Sequence, residues 1–197
     1  MSKQVEFFFD LGSPAAYLAW TQLPTIAAAA GATIVWRPML LGGVFKATGN
    51  ASPISVAAKG KWMLTDLARF AKRYGVPLKL PTNFPINTLP LMRGAVGLQM
   101  CQPADFQRYV TAIYEAIFGR GLAMGEPVVV AAELTAAGFD AAAFEGLIAD
   151  PAVKQALVAN TEEAVARGVF GAPTLFINGE MHFGQDRLDF VVQALRS

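Results

Sequence analysis

Residues 168–183 read GVFGAPTLFINGEMHF. Two short apolar runs, Thr174 to Ile177 and Glu180 to Phe183, flank Asn178-Gly179. An Asn-Gly pair in that setting predicts a β-hairpin, because the tight turn needs positive φ at both central residues. Just ahead stands Ala172-Pro173, an X-Pro bond entering a strand and so a candidate cis peptide. Read plainly, it is a turn. Read as a site element, a cis-proline exposes the backbone of Ala172, and an extended ligand can pair with it like another strand.

Working outward, Asp186 to Arg196 (DRLDFVVQALR) predicts a capped amphipathic helix, so the chain ends β-β-α. At the other end, Val5 to Phe9 is a short aromatic run and predicts a buried strand. Pro14 to about Ala30 predicts a helix, with Pro24 kinking it and Gly31 stopping it. Thr33 to Pro38 alternates and is β-branched, a second strand. Strand, helix, strand is the unit of a parallel pair.

The middle of the chain is helical. Leu41 to Asn50 is Gly-rich and predicts a loop with a short helical turn. Helices are expected over 54–74, from the proline-rich stretch after Pro77 through about Met100, and over roughly 104–118, 128–137, 141–149 and 151–167. Asp150-Pro151 opens the last as N-cap and first helical residue. The predicted class is α/β, with residues 1–45 and 168–197 forming one domain and 46–167 an all-helical insertion.

The 197 residues are 54% hydrophobic and 16% charged, which fits one domain, or one domain with a large insertion. A net charge of +1 with no basic cluster argues against nucleic acid or an anionic membrane surface as partner. No segment is long and apolar enough to span a bilayer, and the N-terminal apolar run is too short for a secretory signal, so a cytoplasmic location is expected. The single cysteine, Cys101, excludes an internal disulfide. With one histidine, His182, no metal site is expected. Cys101 is expected buried as a small hydrophobe, and His182 at a sheet edge.

The joint between first strand and first helix is Gly12-Ser13-Pro14. Ser13 suits the N-cap and Pro14 the first helical position. The same geometry favours an anion, because the free N–H groups and helix dipole point there. A hydroxyl in that place can donate to a thiolate and lower its pKa.

Together the stretches FFFDLGSPAAYLA, RPMLLGGVFKATGN, GVFGAPTLFINGE and FGQDRLDFV, in this order, carry a resemblance. The chain resembles the family of 2-hydroxychromene-2-carboxylate isomerases and kappa-class glutathione transferases, relatives of the disulfide oxidoreductase DsbA. The resemblance implies a thioredoxin-like fold with an inserted helical domain. Redox relatives carry Cys-x-x-Cys where this chain has Ser13-Pro14-Ala15-Ala16, so the protein has no thiol there for disulfide exchange. The resemblance implies glutathione as cofactor, its sulfur held by the catalytic Ser13. It further assigns Asn50, Ala172 before Pro173, Gln185 and Asp186 to glutathione, and Lys46 to a substrate carboxylate. Trp62, Phe84 and Asn87 are expected to line the substrate pocket.

The activity implied is interconversion of 2-hydroxychromene-2-carboxylate with trans-o-hydroxybenzylidenepyruvate, by thiolate addition, bond rotation and elimination. Aromatic hydrocarbon catabolism, a small aromatic carboxylate substrate and a homodimer belong to the same expectation. A kappa-like transferase or peroxidase is the alternative enzyme, and a non-catalytic thioredoxin-like binding module the alternative of another class. Two departures stand out. The family often has Tyr-Ser where this chain has Ala15-Ala16. An Asn-Arg pair found in naphthalene-pathway isomerases is absent from Ser52-Pro53-Ile54-Ser55-Val56. The resemblance therefore carries glutathione further than it carries the hydroxychromene.

Overall fold

In a computed structural model of the chain, which describes residues 3–196, the first strand, β1 (Gln4–Phe9), lies inside a four-stranded sheet. Met1, Ser2 and Ser197, which the expected domain ranges include, lie outside the described residues. β1 pairs in parallel with β2 (Thr33–Pro38), Gln4 opposite Thr33 and Phe9 opposite Pro38. On its other side it runs antiparallel to β3 (Thr174–Ile177), with Phe7 opposite Leu175. β3 pairs antiparallel with the edge strand β4 (Glu180–Phe183), giving the order β2-β1-β3-β4. Asn178 and Gly179 take φ of 50° and 83°, the left-handed pair that the hairpin turn requires. The Ala172–Pro173 bond is cis, as expected, and so is Phe84–Pro85, which the sequence did not single out.

Helix α1 (Pro14–Ala30) connects β1 to β2. It starts at the Ser13 cap and stops at Gly31, whose φ of 63° lets its N–H return to the Ala27 and Ala28 carbonyls. Pro24 lies inside the helix, which runs unbroken to Ala30. The alternation of β1 divides its aromatic run between two faces. Phe7 and Phe9 face α1 and the helical block, where Trp20, Trp36, Phe106 and Tyr114 form a continuous aromatic cluster. Phe8 faces the other way, against Phe176, Met39, Val44, Ala164 and Val169. Each fully buried Phe contributes roughly 1.5–3 kcal/mol through area removed from water, so this pattern fixes the register of β1.

Between β2 and β3 all regular structure is helical: α2 (Leu41–Thr48), α3 (Ala57–Tyr74), α4 (Leu89–Cys101), α5 (Pro103–Tyr114), α6 (Pro127–Ala136), α7 (Ala141–Ala149) and α8 (Pro151–Ala166). α9 (Leu188–Arg196) follows the hairpin. α8 begins as predicted, with the Asp150 carboxylate accepting from Ala152 N at 2.7 Å.

Several expectations need correction. Leu41 to Thr48 is a full helix rather than a loop. Its N-terminus is capped from a distance, Leu41 N donating to Asp10 Oδ2 at 2.7 Å and Leu40 N to Thr161 Oγ1 at 3.0 Å. A Cβ on Gly43 would come within 3.0 Å of Thr161 Cγ2, so this glycine permits the close approach of α2 to α8. The helix expected over 104–118 leaves α-geometry at Tyr114 and passes into a π-turn over Glu115–Gly119. A 3-10 turn over Pro53–Ser55 precedes α3. Cys101 is exposed, not buried, because it is the last residue of α4, past the run Leu91 to Leu98 that faces the core. Asp186 does not cap an α-helix: it lies in a 3-10 turn, Gln185–Arg187, ahead of α9. His182 lies on the edge strand, half-buried, and its Nε2 is buried without a hydrogen-bond partner. No helix among the described residues is long and apolar enough to cross a membrane.

Candidate functional site

Ser13 takes an extended backbone, φ −96° and ψ 111°, between β1 and α1. Its Oγ accepts from Ala16 N at 3.1 Å, the capping bond that its residue type predicts. The same hydroxyl donates to the carbonyl of Ala172 at 3.0 Å. Ser13 is thus both a helix cap and a bridge to the segment ahead of β3.

Three carbonyls of that segment are held by other parts of the chain, while Gly171 O accepts from the neighbouring Thr174 Oγ1 at 2.8 Å. Asn50 Nδ2 donates to Phe170 O at 2.8 Å. Ser13 takes Ala172 O, and Gly184 N donates to Pro173 O at 3.0 Å. The loop 170–173 therefore gathers the end of β1, the segment after α2 and the end of β4 at one place. Gln185 and Asp186 follow directly on Gly184. Gln185 is buried, and Tyr74 at the end of α3 donates its hydroxyl to Gln185 O at 2.8 Å, with Gln185 Oε1 also in reach at 3.3 Å. Asp186 is exposed and paired with Arg187 at 2.9 Å. Gly184 has φ of 98°, and a Cβ there would overlap the Asp186 carboxylate, so only glycine fits.

The residues assigned to substrate divide. Lys46 is exposed in the last turn of α2, four positions before Asn50. Trp62 stands on α3 with 62% of its surface exposed. Phe84 meets Phe118 edge-on at 6.3 Å, packed against the core. Asn87 Oδ1 accepts from Leu89 N at 3.1 Å at the start of α4. No hydrogen bond or ring contact among the described residues joins Trp62, Phe84 or Asn87 to Ser13 or Ala172.

Sequence reasoning missed the group beneath the site. Asp10 is 1% exposed. Its Oδ1 accepts from Gly12 N at 2.7 Å and from Thr88 Oγ1 at 2.8 Å, and its Oδ2 accepts from Leu41 N. Its carbonyl accepts from Ser13 N at 3.0 Å and from the Tyr114 hydroxyl at 3.1 Å. Burial pushes the Asp10 carboxyl above its ordinary range, while the bonds from Gly12, Leu41 and Thr88 pull it back. One buried carboxylate thus ties the turn that carries Ser13 to the N-terminal ends of α2 and α4. The local signal is slight: an acidic residue stands between the apolar run Phe7 to Phe9 and the Leu11-Gly12 turn, and nothing near it in sequence points to Thr88 or Leu41.

The sheet order, the N-terminal cap of α1 and the loop 170–173 define a thioredoxin-fold protein of the DsbA type. Residues 4–196 match the model of the DSBA-like thioredoxin domain, and the chain belongs to that family. Within it, the chain is 33% identical over 193 residues to 2-hydroxychromene-2-carboxylate isomerase from Sphingobium xenophagum, covering 97% of each chain. It is 33% identical to the enzyme of the same name from Pseudomonas putida, covering 97% of this chain and 93% of that one. Glutathione S-transferase kappa 1 from Homo sapiens is 28% identical, with 99% and 92% covered. A solved 2-hydroxychromene-2-carboxylate isomerase superposes with a TM-score of 0.86 at 32% identity, covering 98% of this chain and 94% of that one. A probable DsbA oxidoreductase from Streptomyces coelicolor shares the fold, with a TM-score of 0.74 at 18% identity. The particular branch is therefore that of the 2-hydroxychromene-2-carboxylate isomerases and kappa-class glutathione transferases, a family of enzymes.

Proposed function

We propose that this enzyme is a glutathione-dependent isomerase acting on a small aromatic carboxylate of the 2-hydroxychromene-2-carboxylate type. The observation that carries the reading is Ser13: a hydroxyl at a helix N-terminus, beside the Ala172 carbonyl, where redox relatives hold a cysteine. The donor set suits the tripeptide. Ser13 offers a hydroxyl, the Ala172 backbone a pairing edge, and Asn50 a carboxamide. Gln185 and Asp186 offer an amide and a carboxylate for the γ-glutamyl end, the carboxylate suiting its ammonium.

When bound, glutathione supplies a thiolate able to add to a conjugated carbon and later to leave. The chain's own part is electrostatic and positional. Ser13 and the positive end of the α1 dipole favour negative charge at the sulfur's place. Lys46 meets the substrate carboxylate. Asp10 holds the Gly12-Ser13 turn in place from below, so its role is positioning. On binding, the one proton of the Ser13 hydroxyl would turn from the Ala172 carbonyl to the sulfur, and from then on the donor would act without reorganisation at the moment of reaction.

The test is a thiolate titration by ultraviolet absorbance on protein saturated with glutathione. Cys101→Ala is the background, so that only the ligand's thiol reports. A thiol pKa well below the ~8.5 of a free cysteine, restored by Ser13→Ala, supports the reading. No binding, or no shift, removes it. Product analysis then separates this reading from a kappa-like transferase: an isomerase leaves total glutathione unchanged.

A further inference from the structure

A cavity of about 470 Å³ lies between α2, α4 and α8, and none of the residues assigned to glutathione lines it. Its walls are apolar: Leu40, Leu89, Leu157, Val158 and Val165. Arg93, on α4, also lines it. The Nε of Arg93 is buried and has no hydrogen-bond partner, and no ion pair among the described residues includes Arg93. Lys154, on α8, adds a second cation to the lining, and Glu162 one carboxylate. The lining therefore carries one positive charge in excess. With Nε out of reach, the guanidinium can meet the cavity only through its terminal nitrogens, which have no acceptor among the described residues, and a half-buried cation of this kind favours an anion. Apolar walls with a few placed polar groups, at this volume, are the ordinary make-up of a small-molecule site.

We infer that the cavity between α2, α4 and α8 binds an apolar monocarboxylate, its carboxylate on Arg93 and its hydrocarbon body along Leu40, Leu89 and Leu157, as a second site apart from the Ser13 site. The carboxylate accepts from the terminal nitrogens of Arg93 and balances the excess charge. The inference stands whether or not glutathione binds at Ser13, because no residue of that assignment enters it. The hydrocarbon body is aromatic or aliphatic, and two probes separate these sources.

The experiment is isothermal titration of the full chain with 2-naphthoate and with decanoate, alone and under saturating glutathione. The expected result is one site for at least one probe, unaffected by glutathione. Arg93→Gln weakens it at least tenfold. Val158→Trp, at a position 48% exposed in the wall, abolishes it by filling the groove. The neutral isostere 2-naphthalenemethanol or decanol binds at least tenfold more weakly than its acid. Failure of both acids to bind overturns the inference. So does binding that ignores both Arg93→Gln and Val158→Trp, and so does binding that glutathione or Lys46→Ala suppresses. Should Arg93→Gln not fold, Val158→Trp and the neutral isosteres decide.

Discussion

The Ser13 hydroxyl lies 3.0 Å from the Ala172 carbonyl and donates to it, while the same oxygen caps α1 through Ala16 N. Ser13→Ala removes both bonds. A lost cap and a lost neutral hydrogen bond cost about 1–2 kcal/mol together, which a core of this size tolerates. Turnover of the isomerisation is expected to fall about 100-fold or more, the scale set by removing one preorganised donor. Thermal melting alongside kinetics checks both halves. Full turnover in a folded Ser13→Ala protein would remove this serine from the mechanism.

Asp10→Asn tests the carboxylate beneath the site. Its two oxygens accept three bonds from two directions. An amide keeps one acceptor and turns its NH2 group toward another donor. The expected loss is about 1–3 kcal/mol, the cost of an unsatisfied buried group, with a higher KM for glutathione because the turn before Ser13 loosens. Chemical denaturation and KM measured on one preparation decide it.

Acid stability carries two opposed contributions. Hydrogen bonds from Arg167 hold the Glu6 carboxyl below its ordinary range, helped by Arg37 and opposed by partial burial. Its contribution is present above the unfolded value, near 4.5, and is lost as pH falls through the depressed folded value. Asp10, with its folded value raised, contributes oppositely: its contribution is full below the unfolded value of 3.8 and lost as pH rises through the folded value. Glu6→Gln should therefore flatten the acid limb of stability against pH, and Asp10→Asn should steepen it. Denaturant midpoints between pH 3 and 7 read this directly; parallel curves for the two variants would contradict it.

Gly184→Ala places a methyl group against the Asp186 carboxylate at a φ of 98°. Such backbone strain costs about 1–3 kcal/mol. The larger effect expected is a KM for glutathione several-fold higher, because Asp186 must move. A loss of stability with KM unchanged would dissociate Asp186 from the ligand.

Tyr74→Phe removes the hydroxyl that holds Gln185. Stability should fall by about 1 kcal/mol, with KM for glutathione rising while kcat holds. A drop in kcat at constant KM would place Tyr74 in the chemistry instead.

The fold was legible where one residue type has one physical use. Asn178-Gly179 forced a hairpin, Gly31 ended a helix and Asp150-Pro151 began one. It was illegible where distant contacts override local preference. Gly42 and Gly43 argue for a loop in isolation, yet α2 forms because Asp10 and Thr161 cap it from elsewhere and Gly43 lets it reach α8. Cys101 read as buried because its neighbours are apolar, but the helix outruns its cover there. At the site, Ser13 and the Ala172–Pro173 bond were readable because cap and X-Pro chemistry are local. Asp10 and Tyr74 were not, because their partners Thr88 and Gln185 lie 78 and 111 residues away.

The three ties on the loop 170–173 also set a schedule during synthesis. Ser13 leaves the ribosome long before its partner, because the carbonyl that receives its hydroxyl is 159 residues downstream. At about 5–20 residues per second, that is a wait of roughly 8–30 s. During it β1 has β2 to pair with but not β3, and α1 has its cap but no loop over it. Until Ala172 is made, a nascent chain holds the serine without the carbonyl that faces it.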